Sequence, residues 1–287
     1  MGTVTVDGVV LHYSRLGTEG PDVVLVHGLG ANRAFWFWRI AHTLARGHVV
    51  TIYDMRGHGR SDVPPSGYTS ATMAGDLKAL LDHLGVGRAH LVGHSFGGAV
   101  VLHFAVLHPD RVATLVLADA RVPAFETNQR LADWAYWPVW RSRLRAAGMP
   151  VPDGDREIDA TLLREWAHPR WRRARETLAG RHGFAPFAGW RDDGRARLAL
   201  DRLLDGTTAG DDARAVAGLT ADRIDEVRRP VLALYGQHSY CLATLRGLRR
   251  TLPDCTSHIV PGAGHYHPVV RPELFVRHVR AFVEEHS

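Results

Sequence analysis

One serine in this chain is set up for nucleophilic chemistry. Gly93-His94-Ser95-Phe96-Gly97 follows the apolar pair Leu91-Val92 and leads into Ala99-Val100-Val101-Leu102-His103-Phe104-Ala105, a segment with helical character. A strand turning this sharply into a helix strains its middle residue and leaves no room for side chains two positions before and after it. Gly93 and Gly97 meet that demand around Ser95. The turn lifts the serine hydroxyl to the start of a helix, where unpaired N–H groups and the helix dipole favour negative charge. The structural alternative is a tight turn without chemistry.

The elements that must position Ser95 follow from the pattern of apolar residues. Thr3 to Leu16 alternates around Asp7-Gly8, a hairpin signal. Asp22-Val23-Val24-Leu25-Val26 is a continuous apolar run suited to a strand buried on both faces, and it ends in His27-Gly28-Leu29-Gly30. A helix is expected from about Arg33 to Arg46, then a strand from His48 to Tyr53, a helix from Thr69 to Leu84 and the Ala89 to Gly93 strand. Arg111 to Asp119 forms another buried strand, ending on an acid. The alternation of strands and helices calls for an α/β fold with a mostly parallel sheet wrapped on both faces and ligands at the carboxyl ends of its strands. Ser95, the Gly28 loop and Asp119 are all expected at such ends.

From about Arg121 to Asp225 the strand rhythm stops, and the sequence reads as helices and loops. This insertion holds six of the eight tryptophans, namely Trp134, Trp137, Trp140, Trp166, Trp171 and Trp190. Most are expected to pack within the insertion. Trp134, Trp137 and Trp140, spaced by threes, are the candidate aromatic stripe over a substrate pocket. The sheet resumes at Pro230 to Gly236 and Thr256 to Val260, and a helix from Pro272 to Glu285 closes the chain, with proline in its first turn.

Composition narrows the function classes. The 287 residues, 45% hydrophobic and 23% charged, suit one large globular domain with an insertion. The net charge of +5 comes from arginine, since Lys78 is the sole lysine, and arginines alternate with acids as on solvated helix faces. The denser run from Arg170 to Arg175 reads as an exposed helix face rather than an anion or nucleic-acid patch. Cys241 and Cys255 form no disulfide framework and have no metal-ligand spacing, and the histidines form no compact metal signature. Asp54-Met55-Arg56-Gly57-His58-Gly59-Arg60-Ser61-Asp62 lacks the lysine and helix of a phosphate loop. No basic segment leading into an apolar one opens the chain, and no apolar run approaches the ~18 residues that span a bilayer. The expectation is a cytoplasmic protein acting on a small molecule, with no cofactor, metal, nucleic acid or membrane partner. Its oligomeric state is left open.

Four segments in chain order, His27-Gly28-Leu29-Gly30, the glycine-rich Asp54 to Asp62, Gly93-His94-Ser95-Phe96-Gly97 and Gly262-Ala263-Gly264-His265, resemble the α/β-hydrolase fold family. The resemblance covers residues 1 to about 120 and 228 to 287, the expected core. It makes residues 121–227 a helical lid inserted between the sixth and seventh strands. It implies that Ser95 is the nucleophile and His265 its general base, and that the backbone N–H groups of Leu29 and Phe96 form the oxyanion hole. His267 is the rival base, ranked lower because the family's histidine directly follows Gly-x-Gly. His94 is expected to be packed and hydrogen-bonded.

One departure stands out. The family usually carries its acid shortly after the seventh strand, where this chain reads Gly236-Gln237-His238-Ser239, with no acid from Gly236 through Pro253. Asp119 at the end of the sixth strand is the replacement, as in certain haloalkane dehalogenases, zearalenone-type lactonases and macrolide-forming thioesterases. Glu126 and Asp254 are distant seconds. The expected activity is a serine hydrolase acting on an ester, lactone or thioester of a fairly apolar small molecule through an acyl-enzyme. Acyl transfer or cyclisation would use the same residues. A ligand-binding protein with little turnover and a cofactorless lyase or carbon–carbon bond hydrolase are the competing classes.

Overall fold

The computed structural model describes residues 1–126, 129–166, 168 and 194–287. Eight strands form one sheet: β1 Gly2–Val6, β2 Val9–Leu16, β3 Asp22–Val26, β4 Val49–Tyr53, β5 Ala89–His94, β6 Val112–Ala118, β7 Val231–Gly236 and β8 Cys255–Val260. Their order is β1-β2-β4-β3-β5-β6-β7-β8, with β1 and β2 antiparallel to their neighbours and every other pairing parallel. The opening hairpin turns at Asp7 and Gly8, whose φ values of 48° and 80° suit the two-residue turn that follows strand twist.

Because successive strand residues point to opposite faces, the apolar runs of β3, β5, β6 and β7 supply two cores at once. Val24, Leu91, Leu115 and Ala233 pack toward the helices Ser70–His83 and Phe96–Leu107. Val23, Val92, Val116 and Leu232 pack on the opposite side with Trp36, Ile40 and the closing helix Pro272–Glu285. The helix Ser70–His83 starts at Thr69, whose hydroxyl accepts from the Thr72 N–H at 3.2 Å. The helical segment after β3 departs from the expected single helix. A π-helical turn, Phe37–Ala41, separates Ala34–Trp36 from His42–Leu44.

Between β6 and β7 the described residues include the helices Trp137–Ala146, Ala160–Trp166 and Gly194–Gly206. The Arg170 to Arg175 run, Trp171 and Trp190 lie outside the described residues, as does the side chain of Trp166.

The strand-to-helix turn at Ser95 is held by close backbone approach. A Cβ at Gly93 would lie 2.3 Å from the Gly97 carbonyl oxygen, and one at Gly97 would lie 2.3 Å from the His27 carbonyl oxygen. Gly97→Ala is therefore expected to force helix Phe96–Leu107 off β3 and cost about 1–3 kcal/mol of stability. Denaturant unfolding measures this, and an unchanged midpoint would show that the contact relaxes without cost.

Candidate active site

Ser95 joins β5 to the helix Phe96–Leu107 with φ 55° and ψ −123°, a strained conformation for any residue but glycine. Its N–H donates to the Ala118 carbonyl at 3.1 Å, and its own carbonyl accepts from Arg121 N–H at 3.1 Å, which ties the turn to the end of β6. Asp119, the next residue after β6, also has a positive φ, 48°. It is completely buried.

That buried carboxylate faces His265. The His265 Nδ1 donates to Asp119 Oδ1 at 3.0 Å. Gly236 N–H, at the end of β7, donates to Oδ2 at 2.7 Å, and the Ser239 hydroxyl donates to Oδ1. Ser239 Oγ in turn accepts from Cys241 N–H at 2.9 Å. Serine thus stands where the family's usual acid would be, and it braces the acid on the neighbouring strand. Burial, with the Arg121 charge adding to it, holds His265 well below the ordinary imidazole range, so the ring is a neutral base at pH 7. Burial pushes Asp119 up to about 7, while hydrogen bonds from the Gly236 N–H and the Ser239 hydroxyl act to keep it ionised.

The other candidate residues fall into distinct places. His94 is buried and donates from Nε2 to the His265 carbonyl at 2.9 Å, supporting the loop. His267 is buried, donates to the Leu234 carbonyl at 3.0 Å and lies 3.9 Å from Asp119 Oδ2. Glu126 is bonded to Arg121 and Thr244 instead of a histidine. Asp254 lies before β8, where its carbonyl accepts from Val231 N–H at the opposite end of the sheet from Ser95.

A cavity of about 500 Å³ opens over the strand ends. Ser95, His265, Leu29 and Phe96 all line it. Trp134, Trp137 and Trp140 do not. They are 3%, 4% and 4% exposed and belong to the apolar core, so the expected aromatic stripe is corrected to packing. Aromatic lining comes from Phe35, Trp38, Tyr240 and Tyr266. Spacing by threes placed the tryptophans on one face but could not say whether that face met a cavity or the core.

Sequence reasoning also missed how the Gly28 loop is held. Gly30 N–H donates to His58 Nε2 at 2.9 Å, while His58 Nδ1 donates to the Arg56 carbonyl at 2.8 Å. His27 repeats the arrangement, with Nδ1 donating to the Gly28 carbonyl at 2.8 Å and Nε2 accepting from Met55 N–H at 3.2 Å. A ring that both donates and accepts must be neutral. Cys241 was missed as well, its Sγ lying 3.7 Å from His265 Nδ1. Asp119, Cys241 and His265 bring three ligand-type atoms within 4.8 Å of one another, but the histidine and aspartate atoms are already paired to each other.

The buried histidines make stability depend on pH. Burial lowers His27 to about 4, His58 to about 3, with the His27 charge adding, and His267 to about 4. Below the ordinary value of about 6.5 the unfolded chain takes up protons that the folded chain refuses. Their contribution is fully present above that value and is lost as pH falls toward 4, by up to roughly 1.4 kcal/mol per ring per pH unit. Denaturant midpoints should drop steeply between pH 7 and pH 5. A flat profile would show that these rings are not held neutral.

Comparison with known proteins gives the same architecture. The family model described as alpha/beta hydrolase fold matches residues 21–272. RutD of Variovorax paradoxus, a protein named for carbamate hydrolysis, is 32% identical over 277 residues, covering 95% of this chain and 96% of its own. The 2-(acetamidomethylene)succinate hydrolase of Mesorhizobium japonicum is 28% identical over 286 residues, covering 98% of this chain and 94% of its own. Among solved structures, a thermophilic esterase from Thermogutta terrifontis, with malate bound, superposes with a TM-score of 0.65 at 26% identity over 99% of this chain and 97% of its own.

Proposed function

The chain belongs to the alpha/beta hydrolase fold family and is a hydrolase of that family, and from this premise we propose that it is a serine hydrolase working through an acyl-enzyme. The observation that carries the reading is the buried Asp119–His265 hydrogen bond beside a strained Ser95 on one shared cavity. The substrate presents an ester, lactone or thioester carbonyl to Ser95.

In this reading Ser95 Oγ attacks the carbonyl carbon while its proton passes to His265 Nε2. Asp119 holds the proton on Nδ1, which leaves Nε2 as the acceptor, and it stabilises the imidazolium as it forms. The N–H groups of Leu29 and Phe96 receive the developing oxyanion; the latter stands at a helix start, where an N–H has no partner within the helix. His265 then protonates the leaving group, and water, activated by the same ring, releases the acid. An alcohol or amine in place of water would give acyl transfer or cyclisation with the same residues. Residues 121–227 act as the lid, since Ala160, Leu200, Gly210 and Ala213 form part of the cavity wall. No helix among the described residues is long and apolar enough to cross a membrane.

A fluorophosphonate should label Ser95, read by peptide mass, and Ser95→Ala should abolish both label and turnover. Asp119→Asn should keep the fold but lower turnover on the order of 10³–10⁴-fold, because an amide favours the wrong tautomer. His265→Ala should lose comparable activity. Normal turnover in Asp119→Asn would return the acid's role to another group, and an unlabelled Ser95 would favour the ligand-binding reading.

A further inference from the structure

The cavity wall carries an unexpected charge. Arg121, Arg164, Arg197 and Arg214 line it, with Arg39, and no aspartate or glutamate among the described residues does. The acids that pair with these arginines are not part of the lining: Glu126 with Arg121, Asp201 and Asp205 with Arg164, Asp201 with Arg197, Glu157 and Asp211 with Arg214, and Glu273 with Arg39.

Arg121 and Arg197 each combine a fixed Nε with an uncommitted end edge. Arg121 bonds Glu126 Oε2 through Nε at 3.1 Å, and its two Nη groups have no hydrogen-bond partner among the described residues. Its side chain is 24% exposed where it reaches the cavity. Glu126 is fixed from its other oxygen by the Thr244 hydroxyl at 2.6 Å, so Arg121 is clamped from behind with its Nη edge uncommitted. Arg197 uses Nε toward Asp201 at 3.3 Å, and its Nη1 is buried with no partner among the described residues. A buried donor left unpaired is costly, and Arg197, which carries one, is itself a wall residue of the cavity.

Resting on the acyl-enzyme reading, we propose that the substrate carries a carboxylate in addition to the carbonyl attacked by Ser95, and that Arg121 and Arg197 bind it. The guanidinium end edge matches a carboxylate with two parallel hydrogen bonds, a geometry that an ammonium cannot supply. Arg121 follows Asp119 by two residues and its N–H bonds the Ser95 carbonyl, so the anion is held close to the reacting centre. The cavity selects a short acyl chain bearing acid at one end and the cleavable bond at the other, in place of the fairly apolar substrate expected from composition.

The test pairs the 4-nitrophenyl monoester of glutaric acid with its uncharged methyl ester counterpart. The wild-type protein should favour the acid by about 30-fold or more in kcat/KM, the scale of a desolvated charge pair. Arg121→Lys, which keeps a charge beside Glu126, and Arg197→Met should each shrink that ratio, mainly through KM. Glutarate should bind Ser95→Ala by calorimetry and lose binding when Arg121→Lys or Arg197→Met is added. Equal use of both esters, with Ser95 labelled by fluorophosphonate, would overturn the carboxylate site and leave the hydrolase reading standing. Arginine-dependent glutarate binding with no labelling of Ser95 would do the reverse. Absence of glutarate binding overturns the proposal whatever the turnover.

Discussion

The structure turns on one buried carboxylate. Removing an ion such as that of Asp119 from water costs several kcal/mol, and only hydrogen bonds from its surroundings offset it. Those bonds come from separate parts of the chain: the Gly236 N–H at the end of β7, the Ser239 hydroxyl in the following turn, and His265 in the loop after β8. Asp119 thus ties the ends of β6, β7 and β8 together. The positive φ at Asp119 is part of this arrangement, since it places a strand-end side chain among donors from the next two strands. The same contacts fix the tautomer of His265, so a satisfied buried charge and an oriented imidazole come from one set of atoms.

A second constraint is neutrality. His27 and His58 each donate through Nδ1 and accept through Nε2, and the second of these bonds holds the Gly30 N–H. The loop that supplies Leu29 is therefore braced by uncharged rings packed 5.1 Å apart, centroid to centroid, in a buried layer. Protonating either ring would remove an acceptor, and protonating both would bring two cations together. Burial enforces neutrality, and neutrality in turn preserves the loop.

Much of this was legible before any coordinates. The continuous apolar runs marked β3, β5, β6 and β7, because strands covered on both faces cannot alternate with polar residues. Gly93 and Gly97 marked the turn at Ser95, because the backbone contacts there leave no space for a Cβ. The pairing of Asp119 with His265 followed from the absence of an acid after β7. What the sequence could not convey was the facing of the insertion. Trp134, Trp137 and Trp140 share a side of their segment, yet which side meets the core depends on docking angles that local spacing does not encode. The contacts of Ser239, Cys241 and Arg121 were hidden for a related reason, since only the folded strand ends bring them together.

In the proposed reading, with Asp119 as the acid, its place at the end of β6 follows from the same geometry. Adjacent parallel strands lie roughly 4.8 Å apart, within the reach of an aspartate side chain plus one hydrogen bond, so an acid leaving the end of either β6 or β7 can meet one imidazole nitrogen. Two acids there would face each other across a single proton, and repulsion would drive one of them neutral. With the acid on β6, the β7 site must supply a donor instead, and a serine hydroxyl does this where a carboxylate could not. Ser239 is therefore no relic of a lost residue. It is the polarity that the β7 position must carry once Asp119 holds the charge.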